Sequence, residues 1–274
     1  RGEPGIKDEP QHSRQGEVTL KILEDINIPY KILPDDIKKC EGVIQEAKNY
    51  MKRKNSPFAI IVKKNLFEGY ALKNKDQNKY ELDRERAIKI LLPLLDEKDI
   101  IISTTGKTSR ELFELRELNN QGHNKDFLTV GSMGHSSSIA LGIALQKPNI
   151  EVYCFDGDGA MIMHMGSLST TGLLKPKNFK HIIFNNFSHE SVGGQPTAAL
   201  NMDIPLLAKA NGYKEVFVAD TAEQVKEKFK MLKQSIGPSL LEIHIKKGSR
   251  KDLGRPTITP IENKQLFMNF LINQ

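Results

Sequence analysis

Asp158 and Asn186 are the two side chains whose types and spacing fit a metal ion held at the end of a sheet. Asp158 lies in Gly157-Asp158-Gly159, after the apolar run Val152 to Phe155, and Asn186 closes Asn185-Asn186, after the run His181 to Phe184. A helix-like segment separates them, with 25 residues between Gly159 and Asn185. The order reads as strand, loop, helix, strand, loop. Both polar clusters fall at strand C-terminal ends, where open α/β sheets gather ligand-binding groups. One carboxylate oxygen and one neutral amide oxygen suit Mg²⁺, which takes few protein oxygens and completes its shell with water and phosphate oxygens. Gly157 and Gly159 permit close backbone approach, and N–H groups of the following helix can point at phosphate. Asp-Gly and Asn-Asn are also ordinary turn and loop pairs. Either half alone is therefore weak, and the two together are specific.

Gly-Asp-Gly, some 25 residues, then Asn-Asn resembles the thiamine-diphosphate motif. The resemblance implies that Asp158, Asn186 and the backbone carbonyl of Ser188 ligate Mg²⁺. It also implies that Gly157 and Gly159 are cofactor-binding positions and that the amides of Gly159 and Ala160 meet the diphosphate of thiamine diphosphate. Two further loops bear on the same chemistry. Thr104 to Ser109 mimics a P-loop, but the first glycine of that motif would fall at Ile101, which argues against Walker-type nucleotide binding. Thr105 and Gly106 remain either a phosphate loop or a plain helix cap. Gly131-Ser132-Met133-Gly134 reads as a tight turn with Met133 in the core, or as backbone pressed against a ligand. The resemblance implies the ligand. Met133 would support the bent cofactor, and the Gly131 carbonyl would accept from its aminopyrimidine.

RGEPGIKDEPQH at the start, TTGKTSRELFE, HESVGGQPT and GSRKDLGRP together resemble the phosphonopyruvate decarboxylase family, with the sulfopyruvate decarboxylases close by. The likeness spans essentially the whole chain. It implies a thiamine-diphosphate-binding α/β fold, a parallel sheet flanked by helices, with the remainder of a second similar domain at the N-terminus. Residues 1–62 would be the later part of a pyrimidine-binding domain, 63–82 a linker, and 83–274 the diphosphate-binding domain. The implied reaction is non-oxidative decarboxylation of 3-phosphonopyruvate to phosphonoacetaldehyde and CO₂ in phosphonate biosynthesis. Alternatives are turnover of sulfopyruvate or another 2-keto acid, or a non-catalytic cofactor-binding subunit.

The anionic substrate nominates Arg250 and Arg255, whose planar guanidinium groups bind phosphonate or carboxylate bidentately, although the same stretch also reads as a solvated basic loop. Ser191, Gly193, Gly194 and Gln195 are candidates to close over substrate. His189 and, from the first loop, His12 are proton-shuttle candidates, since a histidine titrates near neutrality. Glu190 is the other acid/base candidate, standing where the family pattern has Asp. The family also activates its cofactor with an early glutamate, and no residue in 1–62 occupies a matching context. Arg1 opens the sequence without a methionine. The expectation is a chain lacking the first part of its pyrimidine-binding domain. By itself it would bind Mg²⁺-diphosphate weakly and turn over nothing. Its site would form between subunits of a homo-oligomer.

The elements that must position these residues alternate. In the first domain a loop over 1–18, a short helix from Gly16 to Glu24, a strand from Tyr30 to Leu33, a helix from Ile37 to Arg53 and a buried strand from Pro57 to Val62 are expected. Beyond the boundary, helices near 83–95, 136–145, 204–211 and 261–272 alternate with strands near 99–103, 127–130, 152–155, 181–184, 215–218 and 240–245. A further amphipathic helix begins at Asp220, with Glu223 completing a capping box. Alternation of this kind predicts a parallel sheet covered on both faces. With 274 residues, 38% of them hydrophobic, the chain can bury one large or two ordinary cores. No apolar run approaches the roughly 20 residues of a membrane helix. Cys40 and Cys154 lack metal or redox spacing and read as buried thiols of a reducing cytoplasm. A net charge of +6, with lysines spread along the chain and no Trp, matches no nucleic-acid module and suits an anionic small molecule.

Overall fold

A computed structural model describes residues 1–6, 8, 10–70 and 79–274. The chain divides into two compact units, Arg1–Asp76 and Gln77–Gln274, each taken by itself below.

The first unit contains α1 (Pro10–Asp25), β1 (Tyr30–Ile32), α2 (Ile37–Lys54) and β2 (Ala59–Ile61). The start is more helical than expected. Proline fits the first turn of a helix, where its missing N–H costs nothing, and α1 begins there rather than at Gly16. Gly16 sits mid-helix because the Gly2 backbone packs on it, and a Cβ there would lie 1.7 Å from the Gly2 carbonyl oxygen. Asp36 caps α2 by accepting from the Lys39 amide. β1 and β2 pair in parallel over three residues each. The strand expected to be buried is half exposed instead, with Ile60 at 37% and Val62 at 45%. Of the expected linker, residues 71–78 lie outside the described residues, and Leu82 at its end is fully buried rather than exposed.

The second unit is built on β3 (Ile100–Ser103), β4 (Asp126–Leu128), β5 (Val152–Gly157), β6 (Phe179–Asn185), β9 (Glu215–Ala219) and β10 (Ser239–His244). They form one parallel sheet in the order β4-β3-β5-β6-β10-β9. Alternate residues face opposite cores. Ile101, Tyr153, Phe155, Ile182, Phe184, Leu241 and Ile243 pack with α3 (Arg84–Leu91), α4 (Lys107–Leu118) and α9 (Ala222–Gln234). Ile100, Ile102, Val152, Cys154, Ile183 and Leu240 pack with α5 (Ser136–Gln146), α7 (Gly166–Leu174), α8 (Ile204–Ala210) and α10 (Pro260–Ile272). Burial on both faces is why these strands read as continuous apolar runs.

A six-residue helix, α6 (Asp158–Met163), follows β5, and a small antiparallel hairpin of β7 (Ser188–His189) and β8 (Gln195–Pro196) follows β6. Edge strand β4 is tied to α10 by Asn263, which accepts from the Leu128 amide and donates to the Asp126 carbonyl. The cap of α9 is Thr221, one residue later than expected. Its side chain accepts from the Gln224 amide, while the Gln224 side chain accepts from the Asp220 amide, one residue before the cap, so the expected box with Glu223 does not form. Cys154 is buried and Cys40 only half-buried, both as free thiols. Among the described residues no helix is long and apolar enough to cross a membrane.

Candidate active site

The strand order reverses between β3 and β5. From β3 the chain turns outward to β4, and from β5 it turns the other way to β6. In open α/β sheets, ligands bind in the crevice at such a switch point, outside the strand C-terminal ends. The loop after β3 carries Thr105 and Gly106, and the turn after β5 carries Gly157, Asp158 and Gly159, so the topology brings both to that crevice.

The two halves of the opening motif meet through a residue that sequence reasoning missed. The Thr197 hydroxyl donates to Asp158 Oδ2 at 2.5 Å, and the Thr197 amide donates to the Phe187 carbonyl at 3.1 Å. Thr197 thus ties the β5 turn to the loop after β6. Asp158 is buried, and burial pushes its carboxyl above the ordinary value despite the Thr197 hydroxyl and the Gly159 amide. Such a group is short of positive charge. Asn186, also buried, accepts from the Ser188 amide at 3.0 Å through Oδ1, which leaves that oxygen a second lone pair. The Ser188 hydroxyl is buried with no hydrogen-bond partner among the described residues. A buried carboxylate, an amide oxygen with spare capacity and a short loop of oxygen donors form a hard donor set that fits Mg²⁺.

Beside this set, Gly159 leaves a cradle. A Cβ there would lie 3.2 Å from His189 Nδ1 and 3.4 Å from Met133 Cε, so Met133, Gly159 and His189 converge on one point. The loop carrying Gly131 and Met133 packs on α6, where a Cβ on Gly134 would lie 2.8 Å from the Ala160 carbonyl oxygen. Gly131, at φ +70°, donates its amide to Thr105 Oγ1 at 3.1 Å, linking the loops after β3 and β4. Gly106, at φ +96°, stands at the start of α4 with no side-chain cap, which leaves the first amides of that helix for a ligand.

Glu190 sits in a charged network. Its carboxylate accepts from Lys107 Nζ and, at 2.9 Å, from Asn186 Nδ2, and it lies 3.9 Å from Arg84 Nη1. Burial alone would raise its pKa, but Lys107 and Arg84 hold it below the ordinary value. A carboxylate bound in this way orients the Asn186 amide and is poorly suited to donate a proton. Arg84 is itself clamped to Glu111 by two hydrogen bonds of 2.7 and 3.0 Å.

The substrate candidates divide. Ser191 and Gln195 are exposed on the hairpin, and the Gly194 amide is taken by the His189 carbonyl at 3.0 Å. Arg250 is engaged by Glu85, Glu114 and Asp252, so its guanidinium is neutralised within the fold. Arg255 also has a partner. His12 belongs to the first unit, where Nδ1 lies 3.0 Å from Asp8 Oδ1. Thr197, Lys107 and Arg84 were not singled out in the sequence. The threonine in HESVGGQPT was the one available cue.

A second network braces the Asn185-Asn186 turn. Asn185 donates to Glu242 at 2.7 Å and accepts from the amide of Phe187, which sits at φ +56°. His244 lies 3.2 Å from Glu242 and 2.7 Å from Asp220. Burial lowers the His244 pKa, but the two carboxylates outweigh it and the net shift is upward from 6.5. A raised histidine contributes stability that is fully present below its unfolded pKa and lost as pH rises through the folded one. The urea midpoint is therefore expected to fall as pH rises above about 6.5, and His244→Gln should flatten that slope. An unchanged slope in the variant would assign the dependence to another group.

The family described as thiamine pyrophosphate enzyme, C-terminal TPP binding domain, matches residues 104–243. A phosphonopyruvate decarboxylase of Streptomyces viridochromogenes is 30% identical, over 99% of this chain and 70% of its own length. Another, of Streptomyces hygroscopicus, is 31% identical over 98% and 70%. A sulfopyruvate decarboxylase subunit beta of Methanococcus maripaludis is 33% identical over 69% of this chain and 97% of that protein. Among solved structures, a provisionally assigned thiamin diphosphate-dependent enzyme of Mycobacterium smegmatis shares the fold at TM-score 0.51 and 19% identity, covering 60% of this chain and 32% of that one.

Proposed function

This chain belongs to the thiamine-diphosphate-dependent 2-keto acid decarboxylases, and we propose that its substrate is 3-phosphonopyruvate, converted to phosphonoacetaldehyde and CO₂ in phosphonate biosynthesis. The observation that carries the cofactor half of this reading is Thr197, which joins Asp158 to the loop of Asn186 and Ser188. The substrate half rests on extent. Likeness to the phosphonopyruvate enzymes covers 99% of the chain, against 69% for the sulfopyruvate subunit.

In this reading Asp158, Asn186 and the Ser188 carbonyl hold Mg²⁺, and Thr105, Gly106, Gly159 and Ala160 line the diphosphate. Met133 and Gly131 support the rest of thiamine diphosphate. When bound, the cofactor would supply a carbon nucleophile and a sink for the electron pair left behind when CO₂ departs. His189, with its ring against Gly159, is placed to hold or deliver a proton at that point. Glu190 acts through Asn186 as a positioning residue. Ser191, Gly194 and Gln195 form the loop that meets substrate, and Arg250 braces the fold. Residues 1–62 correspond to the later part of a pyrimidine-binding domain and 83–274 to the diphosphate-binding domain, and the complete site forms between subunits.

The test of substrate is steady-state CO₂ release, with thiamine diphosphate and Mg²⁺, by this chain extended to carry a complete pyrimidine-binding domain. Phosphonopyruvate is expected to exceed sulfopyruvate in kcat/KM by at least about tenfold, or about 1.4 kcal/mol. A preference for sulfopyruvate would overturn the assignment. Glu190→Ala frees the Asn186 amide and is expected to weaken Mg²⁺-dependent cofactor binding about 10- to 100-fold, the usual cost of losing a residue that orients a metal ligand. Calorimetric titration checks this. An unchanged affinity would remove Glu190 from the account.

A further inference from the structure

Below the crevice, on the sheet face covered by α5, α7 and α8, lies a polar cluster that the decarboxylation does not use. Cys154 on β5 is paired directly with His181 on β6, and Asp156 is the next residue of β5 on the same face. All three are 0% exposed. One ligand atom from each lies within 4.8 Å of the others. Among the described residues Asp156 Oδ2 and His181 Nε2 have no hydrogen-bond partner, although both are buried and the other polar atom of each side chain has one. Charged and polar groups in a core are paired or coordinate a metal.

We propose that Cys154, Asp156 and His181 bind zinc, with a water as the fourth ligand. Asp156 Oδ2 and His181 Nε2 are 3.6 Å apart, too long for a hydrogen bond. Tetrahedral zinc with bonds of about 2.0 Å sets neighbouring oxygen and nitrogen ligands about 3.3 Å apart. The spacing is thus that of two ligands around an ion. His181 Nδ1 lies 3.2 Å from the Tyr213 hydroxyl, so with Nδ1 protonated and donating, Nε2 presents its lone pair to the cluster. Zinc-bound histidines are held by this kind of outer hydrogen bond.

Charge balance points the same way. Cys154 is a free thiol, which binds zinc only after giving up its S–H proton. Zinc binding releases that proton to solvent. One thiolate, one carboxylate, a neutral imidazole and Zn²⁺ then sum to zero, the net charge a dry core favours. The buried Ser136 hydroxyl, otherwise without a partner, lies against Cys154 and can donate to the thiolate. The ligand set includes a soft sulfur and a nitrogen, which selects zinc over Mg²⁺. The site pins β5 to β6, the two strands whose ends carry Asp158 and Asn186.

The test is metal analysis of the untagged protein, purified with zinc present and briefly treated with EDTA to remove Mg²⁺. One zinc per chain is expected. Protein refolded with Co²⁺ should show a thiolate-to-cobalt charge-transfer band that Cys154→Ser abolishes. Zinc removal should lower the thermal midpoint of the wild-type protein. Should the variant fail to fold, the wild-type zinc content and cobalt band decide the matter by themselves. A zinc-free protein, a missing cobalt band, or a band that persists in Cys154→Ser overturns the proposal.

Discussion

Asp158→Ala is expected to weaken Mg²⁺-dependent binding of thiamine diphosphate by on the order of 10³-fold, equivalent to about 4 kcal/mol, and, in a chain extended to a complete pyrimidine-binding domain, to reduce turnover at least in proportion. The size follows from what the carboxylate would do. It is the one charged protein ligand proposed for the ion, and it is buried against Thr197, where little water can replace it. The same burial makes a second, less obvious prediction about the free protein. Burial raises the Asp158 pKa from 3.8, so the ionised carboxylate is disfavoured in the folded chain. For an acid whose folded pKa lies above its unfolded one, stability is lost as pH rises from the unfolded value through the folded value. At neutral pH the ligand-free chain therefore carries a penalty that alanine removes. Asp158→Ala should melt no lower than wild type without Mg²⁺ and cofactor, yet gain nothing when they are added. Wild type should gain. A variant that melts well below wild type in the ligand-free state would mark Asp158 as a structural residue instead.

Arg84→Met is expected to destabilise the second unit by about 3–5 kcal/mol, since it strands a buried carboxylate. Glu111 is 1% exposed, and burial pushes its pKa up while Arg84 opposes the shift. The two side chains join α3 to α4 by a bidentate pair, and Arg84 also stands 3.9 Å from Glu190. Removing the guanidinium leaves Glu111 either ionised and unpaired or protonated at a cost. The double variant Arg84→Met, Glu111→Leu should recover most of the loss, because replacing both partners of a buried pair with apolar groups is often neutral. Urea denaturation of the two variants is the check. A single variant within about 1 kcal/mol of wild type would mean the pair is hydrated and weak.

The parts of this protein that could be read from sequence are those whose signals are local. Gly157-Asp158-Gly159 and Asn185-Asn186 follow directly from apolar runs, and two-sided burial makes those runs continuous, so strand ends and ligands are read together. Thr197, Lys107 and Arg84 escaped because their meaning lies in distant partners. Lys107 and Glu190 are 83 residues apart, and Arg84 and Glu111 are 27 apart. Arg250 misled for the same reason, since a basic loop gives no sign of Glu85, 165 residues away. The α1 start was misread because Gly16 resembles a helix boundary until Gly2 is seen packed against it. Thr221 and Asp220 are both good caps with an acceptor three residues on, and only the hydrogen bonds tell them apart.

The central claim is that Asp158, Asn186 and Ser188 hold the ion that anchors the cofactor diphosphate. It is tested most directly by a crystal of the protein grown with thiamine diphosphate and Mn²⁺ in place of Mg²⁺, recorded for anomalous scattering. The account predicts a manganese peak within bonding distance of an Asp158 carboxylate oxygen, Asn186 Oδ1 and the Ser188 carbonyl, with the diphosphate completing its shell. A cofactor bound with no manganese at these three residues would contradict it.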